Sequence, residues 1–188
     1  MKTLAYIFGQ PGAGKTTLMR ALCGNAPPVY EARDPVRHRC FSRGGKMFAV
    51  LGGDAYPFGG TDTLSYTTVG SADRWLASLA SCAAGRIVLA EGDRLANDRF
   101  FDVAREHYRL LPFYLSCKDK EASRRRSARA SKHGLPLQSD SWVKGRVTKH
   151  ANLAARQRDV ITLDATQSPE GLAATVWASV LQEERHGG

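Results

Sequence analysis

Along this chain, short continuous apolar runs alternate with segments whose apolar positions recur at helical spacing. The first run, Leu4-Ala5-Tyr6-Ile7-Phe8, is unbroken, as in a strand buried on both faces. Gly14 to Cys23 reads as the first helix, and Asn25-Ala26-Pro27-Pro28 ends it, because proline cannot continue a helix. Val29 to Glu31 is a short strand candidate. Weak alternation from Val36 to Phe41 and the run Lys46 to Gly52 flank Gly44-Gly45, which predicts a hairpin. Ser71 to Ala84 places Ala72, Trp75, Leu76, Leu79 and Ala80 on one helical face. Strands are predicted at Ile87 to Ala90, Leu110 to Leu115 and Val160 to Leu163. Helices are predicted at Arg99 to Arg109, Asp119 to Lys132 and Pro169 to Gln182. No repeat or linker divides residues 1–188, so one domain is expected. The alternation implies an α/β fold in three layers, a mainly parallel sheet with helices on both faces. Ligands in such folds gather at the C-terminal strand ends.

Composition narrows the class. The 43% hydrophobic and 24% charged content is ordinary globular usage, which argues against global disorder. No apolar stretch approaches the roughly 20 residues of a membrane helix, so no membrane partner is expected. The chain runs straight from Met1-Lys2-Thr3 into its first strand, and the four cysteines are scattered. Both point to a reduced, cytoplasmic setting. The net charge of +9 is unevenly placed: Lys118 to Lys149 holds ten Lys/Arg against three Asp/Glu. Arg33 to Lys46 holds five more against one acid. Such clustering suggests surfaces that meet phosphates.

The chemistry begins at Gly9-Gln10-Pro11-Gly12-Ala13-Gly14-Lys15-Thr16, a complete G-x-x-x-x-G-K-[ST] phosphate loop between a strand and a helix. Glycines let the backbone N–H groups fold around a phosphate, and the helix that follows, through Thr17, adds its positive end. Lys15 supplies a charge for the β/γ-phosphates, and Thr16 is the expected Mg²⁺ ligand. Glu91-Gly92-Asp93-Arg94 ends an apolar strand, where Glu91 could hold Mg²⁺. Arg125 and Arg129 share a helix face and read as lid cations for the migrating phosphoryl group. Asp164-Ala165-Thr166, after the last strand, is expected beside the nucleotide base. The segment Gly53 to Tyr66 mixes turn residues with the aromatics Tyr56, Phe58 and Tyr66, as in a binding loop.

This order of parts resembles the nucleoside/nucleotide kinase branch of phosphate-loop proteins and implies that branch's kinase fold, with ATP and Mg²⁺. More narrowly, several segments together are similar to the bacteriophage kinases that phosphorylate 5-hydroxymethyluracil bases within DNA. They are Leu51-Gly52, Gly60-Thr61-Asp62-Thr63-Leu64-Ser65, Glu91-Gly92-Asp93-Arg94, Lys144-Gly145-Arg146-Val147-Thr148-Lys149 and Asn152-Leu153. That resemblance implies an ATP-dependent kinase acting on a hydroxymethylated base in DNA, as a step in phage DNA hypermodification. A lid is expected over about residues 118–149, and the hairpin from Val36 to Gly52 departs from the kinase pattern as an insertion relative to the smallest nucleotide kinases. A hydroxymethyl acceptor needs a base to take its proton. Asp62 is the first candidate and Asp93 the second, with Asp54, Thr61, Tyr56 and Phe58 beside the acceptor. Arg94 and Arg37 would instead suit a nucleotide's phosphate. A kinase of a free nucleoside or nucleotide therefore stays open, as does a nucleotide-dependent DNA-binding ATPase or switch.

Overall fold

The computed structural model describes residues 2–24, 26–54 and 59–182. Within them, seven strands form one sheet in the order β2-β3-β4-β5-β1-β6-β7. The strands are β1 (Thr3–Phe8), β2 (Tyr30–Ala32), β3 (His38–Arg43), β4 (Lys46–Leu51), β5 (Ile87–Glu91), β6 (Arg109–Ser116) and β7 (Ile161–Asp164). From β4 to β7 the pairing is parallel, while β2, β3 and β4 pair antiparallel. The hairpin turns at Gly44-Gly45 with Arg43 opposite Lys46, as its alternation predicts.

The unbroken apolar run of β1 follows from its central position. Leu4, Tyr6 and Phe8 pack into the core on one face, and Ala5 and Ile7 into the core on the other. Burying each large apolar side chain contributes about 1.5–3 kcal/mol. The first face is covered by α3 (Ala72–Ser81), α4 (Asp98–His107) and the end of α6 (Asp140–Arg156). The second is covered by α1 (Lys15–Cys23) and α7 (Pro169–Leu181). Trp177 of α7 donates its indole N–H to Leu22 O at 3.2 Å, closing the α1–α7 contact. Two further helices are α2 (Tyr66–Gly70) and α5 (Asp119–His133).

Two elements differ from the pattern-based expectation. Residues 140–156 form the long helix α6, for which no helix was predicted. Its apolar signal is weak because it buries only His150 and Leu153, while its other faces carry Lys and Arg. The predicted helix from Ser71 stops at Ser81 and gives way to a 3-10 turn over Ala83–Arg86. Gly85 allows that turn: a Cβ there would lie 1.8 Å from Leu79 O.

Candidate active site

The end of β1 and the start of α1 form the phosphate loop. A Cβ on Gly12 would lie 2.4 Å from Ala122 O, so this glycine lets α5 press against the loop. Lys15 folds back across the loop, its Nζ donating to Gly9 O at 2.9 Å and Gln10 O at 3.2 Å. Burial pushes the Lys15 ammonium down in pKa, and the carboxylates of Glu91, Asp62 and Asp93 oppose that push. Glu91, at the end of β5, is buried, and that burial pushes its carboxyl up; Lys15 and the Thr16 hydroxyl counter it. Thr16 Oγ1 donates to Glu91 Oε1 at 3.0 Å. A hydroxyl and a carboxylate side by side at a phosphate loop are the oxygen donors that Mg²⁺ takes together with phosphate oxygens. These two residues fit that ion.

Behind Glu91 the backbone is tied into a knot. Thr61 Oγ1 donates to Glu91 O at 3.0 Å, and the Tyr6 hydroxyl meets Thr61 Oγ1 at 3.1 Å and Gly92 O at 3.2 Å. Asp62 Oδ1 accepts from the amides of Asp93 and Arg94, both at 2.9 Å. Gly92 has φ +133, and a Cβ there would lie 2.5 Å from Thr61 Oγ1. The segments Gly60 to Ser65 and Glu91 to Arg94 are thus halves of one support for the Glu91 carboxylate.

Beside it lies a cavity of about 430 Å³. Thr16, Glu91 and Gly60 form one end; Met19, Cys23, Pro27, Pro28 and Phe41 give it an apolar wall; Arg20, Arg39 and Asp54 give it a polar one. The Asp54 carboxylate is 3.8 Å from Arg20 and 3.5 Å from Arg39, too far for hydrogen bonds to either. Arg39 Nε is buried and has no partner among the described residues. Burial pushes the Cys23 thiol up to about 11.

The helices α5 and α6 stand over the phosphate loop as a pair. Arg125 donates to Ala13 O at 3.0 Å, to Ala165 O at 3.1 Å and to Glu121 at 2.7 Å, joining the phosphate loop to the turn after β7. Arg126 donates to Pro11 O at 2.9 Å. A groove of about 450 Å³ runs between α5 and α6, with Gln10 at its base.

A family model described as P-loop Nucleotide Kinase3 matches residues 1–168. The chain belongs to that family. The fold of this nucleotide kinase family member is shared with several solved kinases. A shikimate kinase from Acinetobacter baumannii in complex with shikimate is 15% identical, with 98% of this chain and 96% of that one covered and a TM-score of 0.55. A gluconokinase from Sinorhizobium meliloti is also 15% identical, with 99% and 98% covered and a TM-score of 0.55. A sugar kinase from Janibacter is 20% identical, with 97% and 95% covered and a TM-score of 0.51. No curated protein matches the chain.

The structure brings together Gly9 to Thr16, Glu91, Asp54 and Arg125 around the loop and its flanks. Thr17 sits exposed in the first turn of α1. Arg129 is exposed, has no partner among the described residues and lies near enough to Lys15 to lower it. Asp164 caps its own turn, its Oδ1 accepting from Thr166 N at 2.9 Å, while Ala165 is buried against β6.

Other expectations are corrected. Thr61 is fully buried with its hydroxyl donating to Glu91 O, behind the cavity and not in its lining. Arg94 donates to Leu64 O and lies 4.6 Å over the Tyr66 ring, away from the cavity; Tyr66 is itself 80% exposed. Arg37 lies across Gly53, outside the cavity wall. Arg39, two residues on, lines the cavity instead. Asp62 and Asp93 do not line the cavity; backbone amides hold the first and cations the second. Tyr56 and Phe58 lie outside the described residues. Arg20, Cys23, Phe41 and the Pro27-Pro28 pair had no sequence signal as site residues, and Arg39 had one only as a member of the basic cluster Arg33 to Lys46. Their common face appears only once the hairpin folds over α1.

Proposed function

We propose that this chain is an ATP-dependent, Mg²⁺-using kinase that phosphorylates a hydroxyl of a free nucleoside or nucleotide held in the 430 Å³ cavity. The observation that carries the reading is the cavity's reacting end, where Thr16 and Glu91 meet an acceptor wall bearing Asp54. Lys15 and the loop amides orient the β- and γ-phosphates, and Arg129 adds charge from the lid. Mg²⁺, when bound by Thr16 and Glu91, supplies positive charge to the phosphate oxygens. Asp54 takes the acceptor proton in place of Asp62, because it alone of the three candidate aspartates lines the cavity. As the acceptor oxygen bonds the γ-phosphorus, the bond to the β–γ bridging oxygen breaks and ADP leaves. Asp54→Asn should lower kcat by about a hundredfold or more with the KM for ATP little changed. An unchanged kcat would remove Asp54 from the reaction.

A second reading keeps the same transfer but gives it a hydroxymethylated base in DNA, with phage DNA hypermodification as its setting. The lid supports it: Lys120, Lys132 and Lys144 are exposed on α5 and α6, and Leu137 and Trp142 are exposed apolar side chains of the same region. Such a substrate should bind with steep salt dependence, about 0.9 log units per phosphate contact for each tenfold rise in salt. Label transfer to hydroxymethylated duplex and not to free nucleosides would select it.

A further inference from the structure

Asp93 is the most heavily engaged carboxylate among the described residues, and the reaction above makes no use of it. Its Oδ2 lies 2.8 Å from Arg146, its Oδ1 2.9 Å from Lys149, and His150 Nε2 is also 2.9 Å from Oδ1. Lys149 donates in addition to the Asp93 backbone carbonyl at 2.8 Å. All three partners come from α6. Burial alone would raise the Asp93 carboxyl, but the Lys149 ammonium bonded to it and the His150 ring beside it outweigh that and hold it well below the usual carboxylate range. A carboxylate so engaged is a poor proton acceptor and a strong anchor.

The position of that anchor matters. Asp93 is two residues past Glu91, and its amide is fixed by Asp62 at 2.9 Å. The α6 face carrying Val143, Lys144, Val147 and Thr148 lines the groove beside Gln10, opposite Ser123 and Arg126 of α5. The far end of α6 is held separately, where Arg156 and Gln157 bond Asp98 at 2.8 Å. That pair is more exposed, at 56% and 45%, and exposed pairs hold weakly.

We propose that Asp93 is a positioning residue: by gathering Arg146, Lys149 and His150 it locks α6 onto the strand end that carries Glu91, and so sets the width of the groove beside the phosphate loop. Asp62, Asp93 and the α6 cations then form one mechanical unit with Glu91.

The test is amide hydrogen exchange of the full chain, read by mass spectrometry, with phosphotransfer kinetics in parallel. In Asp93→Asn, exchange over residues 140–150 should quicken by at least about tenfold, with α7 unchanged. Arg146→Ala should loosen the same residues in the same direction, although Asp93 itself is intact. It also gives the reading should Asp93→Asn fail to fold. In the kinetics, both variants should raise the KM for ATP as well as lower kcat. A proton-accepting Asp93 would instead lose kcat alone and leave Arg146→Ala active. Unchanged exchange over 140–150 in the soluble variants overturns the proposal. The kinetic arm rests on the kinase reading and the exchange arm does not, so the two fail separately.

Discussion

Replacing Thr61 by valine tests whether the knot behind Glu91 is structural. Valine keeps the shape of threonine and removes its hydroxyl. The residue is fully buried, and the hydroxyl donates to Glu91 O at 3.0 Å and contacts the Tyr6 hydroxyl at 3.1 Å. Tyr6 retains Gly92 O as an acceptor at 3.2 Å, so only the Glu91 carbonyl loses a partner with no substitute in view. A buried polar group left unpaired costs about 1–3 kcal/mol. In a chain of this length each kcal/mol lowers the melting temperature by about 2–4 °C, so the expected fall is about 2–12 °C. Thermal unfolding by circular dichroism reads that fall, and steady-state kinetics read the acceptor KM. The expected result is a lower melting temperature with an acceptor KM within about twofold of wild type. An unchanged melting temperature with a raised KM would refute the reasoning, since it would put Thr61 in contact with substrate.

Three further outcomes follow from the same geometry. The depressed Asp93 carboxyl contributes stability that is present above the unfolded carboxylate pKa, about 3.9, and is lost as pH falls through the folded value. Urea midpoints of wild type and Asp93→Asn should therefore keep a constant gap above about pH 5 and draw together progressively as the pH falls below about 4, and a gap that stays constant in acid would contradict the pairing. With Cys23 pushed up to about 11, maleimide at neutral pH should label the exposed Cys82 well before Cys23. Peptide mapping checks the order, and rapid labelling of Cys23 would show that its thiol is not held in the cavity wall. Gly12→Ala should weaken the packing of α5 on the phosphate loop, because its Cβ would lie 2.4 Å from Ala122 O at a φ of +86. Nucleotide affinity measured by calorimetry should drop by an order of magnitude or more, about 1.4 kcal/mol, and wild-type affinity would mean the loop adjusts freely.

The parts of this molecule that were legible in its sequence are those governed by local rules. The phosphate loop is contiguous, and its glycines, Lys15 and Thr16 have fixed spacing, so pattern alone located it. The strands β1 and β5 were legible because central parallel strands are apolar on both faces. The hairpin was announced by Gly44-Gly45 between two extended runs. What local rules could not give was which side chains converge. Arg39 and Arg37 look alike in sequence, but Arg39 lies within β3 and lines the cavity, while Arg37 precedes the strand and lies against Gly53. Sequence ranked Asp62 before Asp93 as the base and set Asp54 beside the acceptor; their partners reorder them: two distant arginines for Asp54, two backbone amides for Asp62, and Arg146, Lys149 and His150 of α6 for Asp93. The helix α6 itself was hidden because it buries only His150 and Leu153, so its sequence carries little apolar periodicity.

The central claim is that the phosphate loop and the cavity beside it act together as a phosphotransferase toward a free acceptor. Its most direct test is mass spectrometry of nucleosides, nucleotides and hydroxymethylated duplex DNA after incubation with ATP, Mg²⁺ and either wild type or Lys15→Ala. Wild type is expected to form a phosphate ester on a free nucleoside or nucleotide hydroxyl. Lys15→Ala should slow it by about a hundredfold or more while its circular dichroism spectrum stays the same. ATP turned over with no phosphorylated acceptor of any kind, or Lys15→Ala keeping more than about a tenth of the rate, would contradict it.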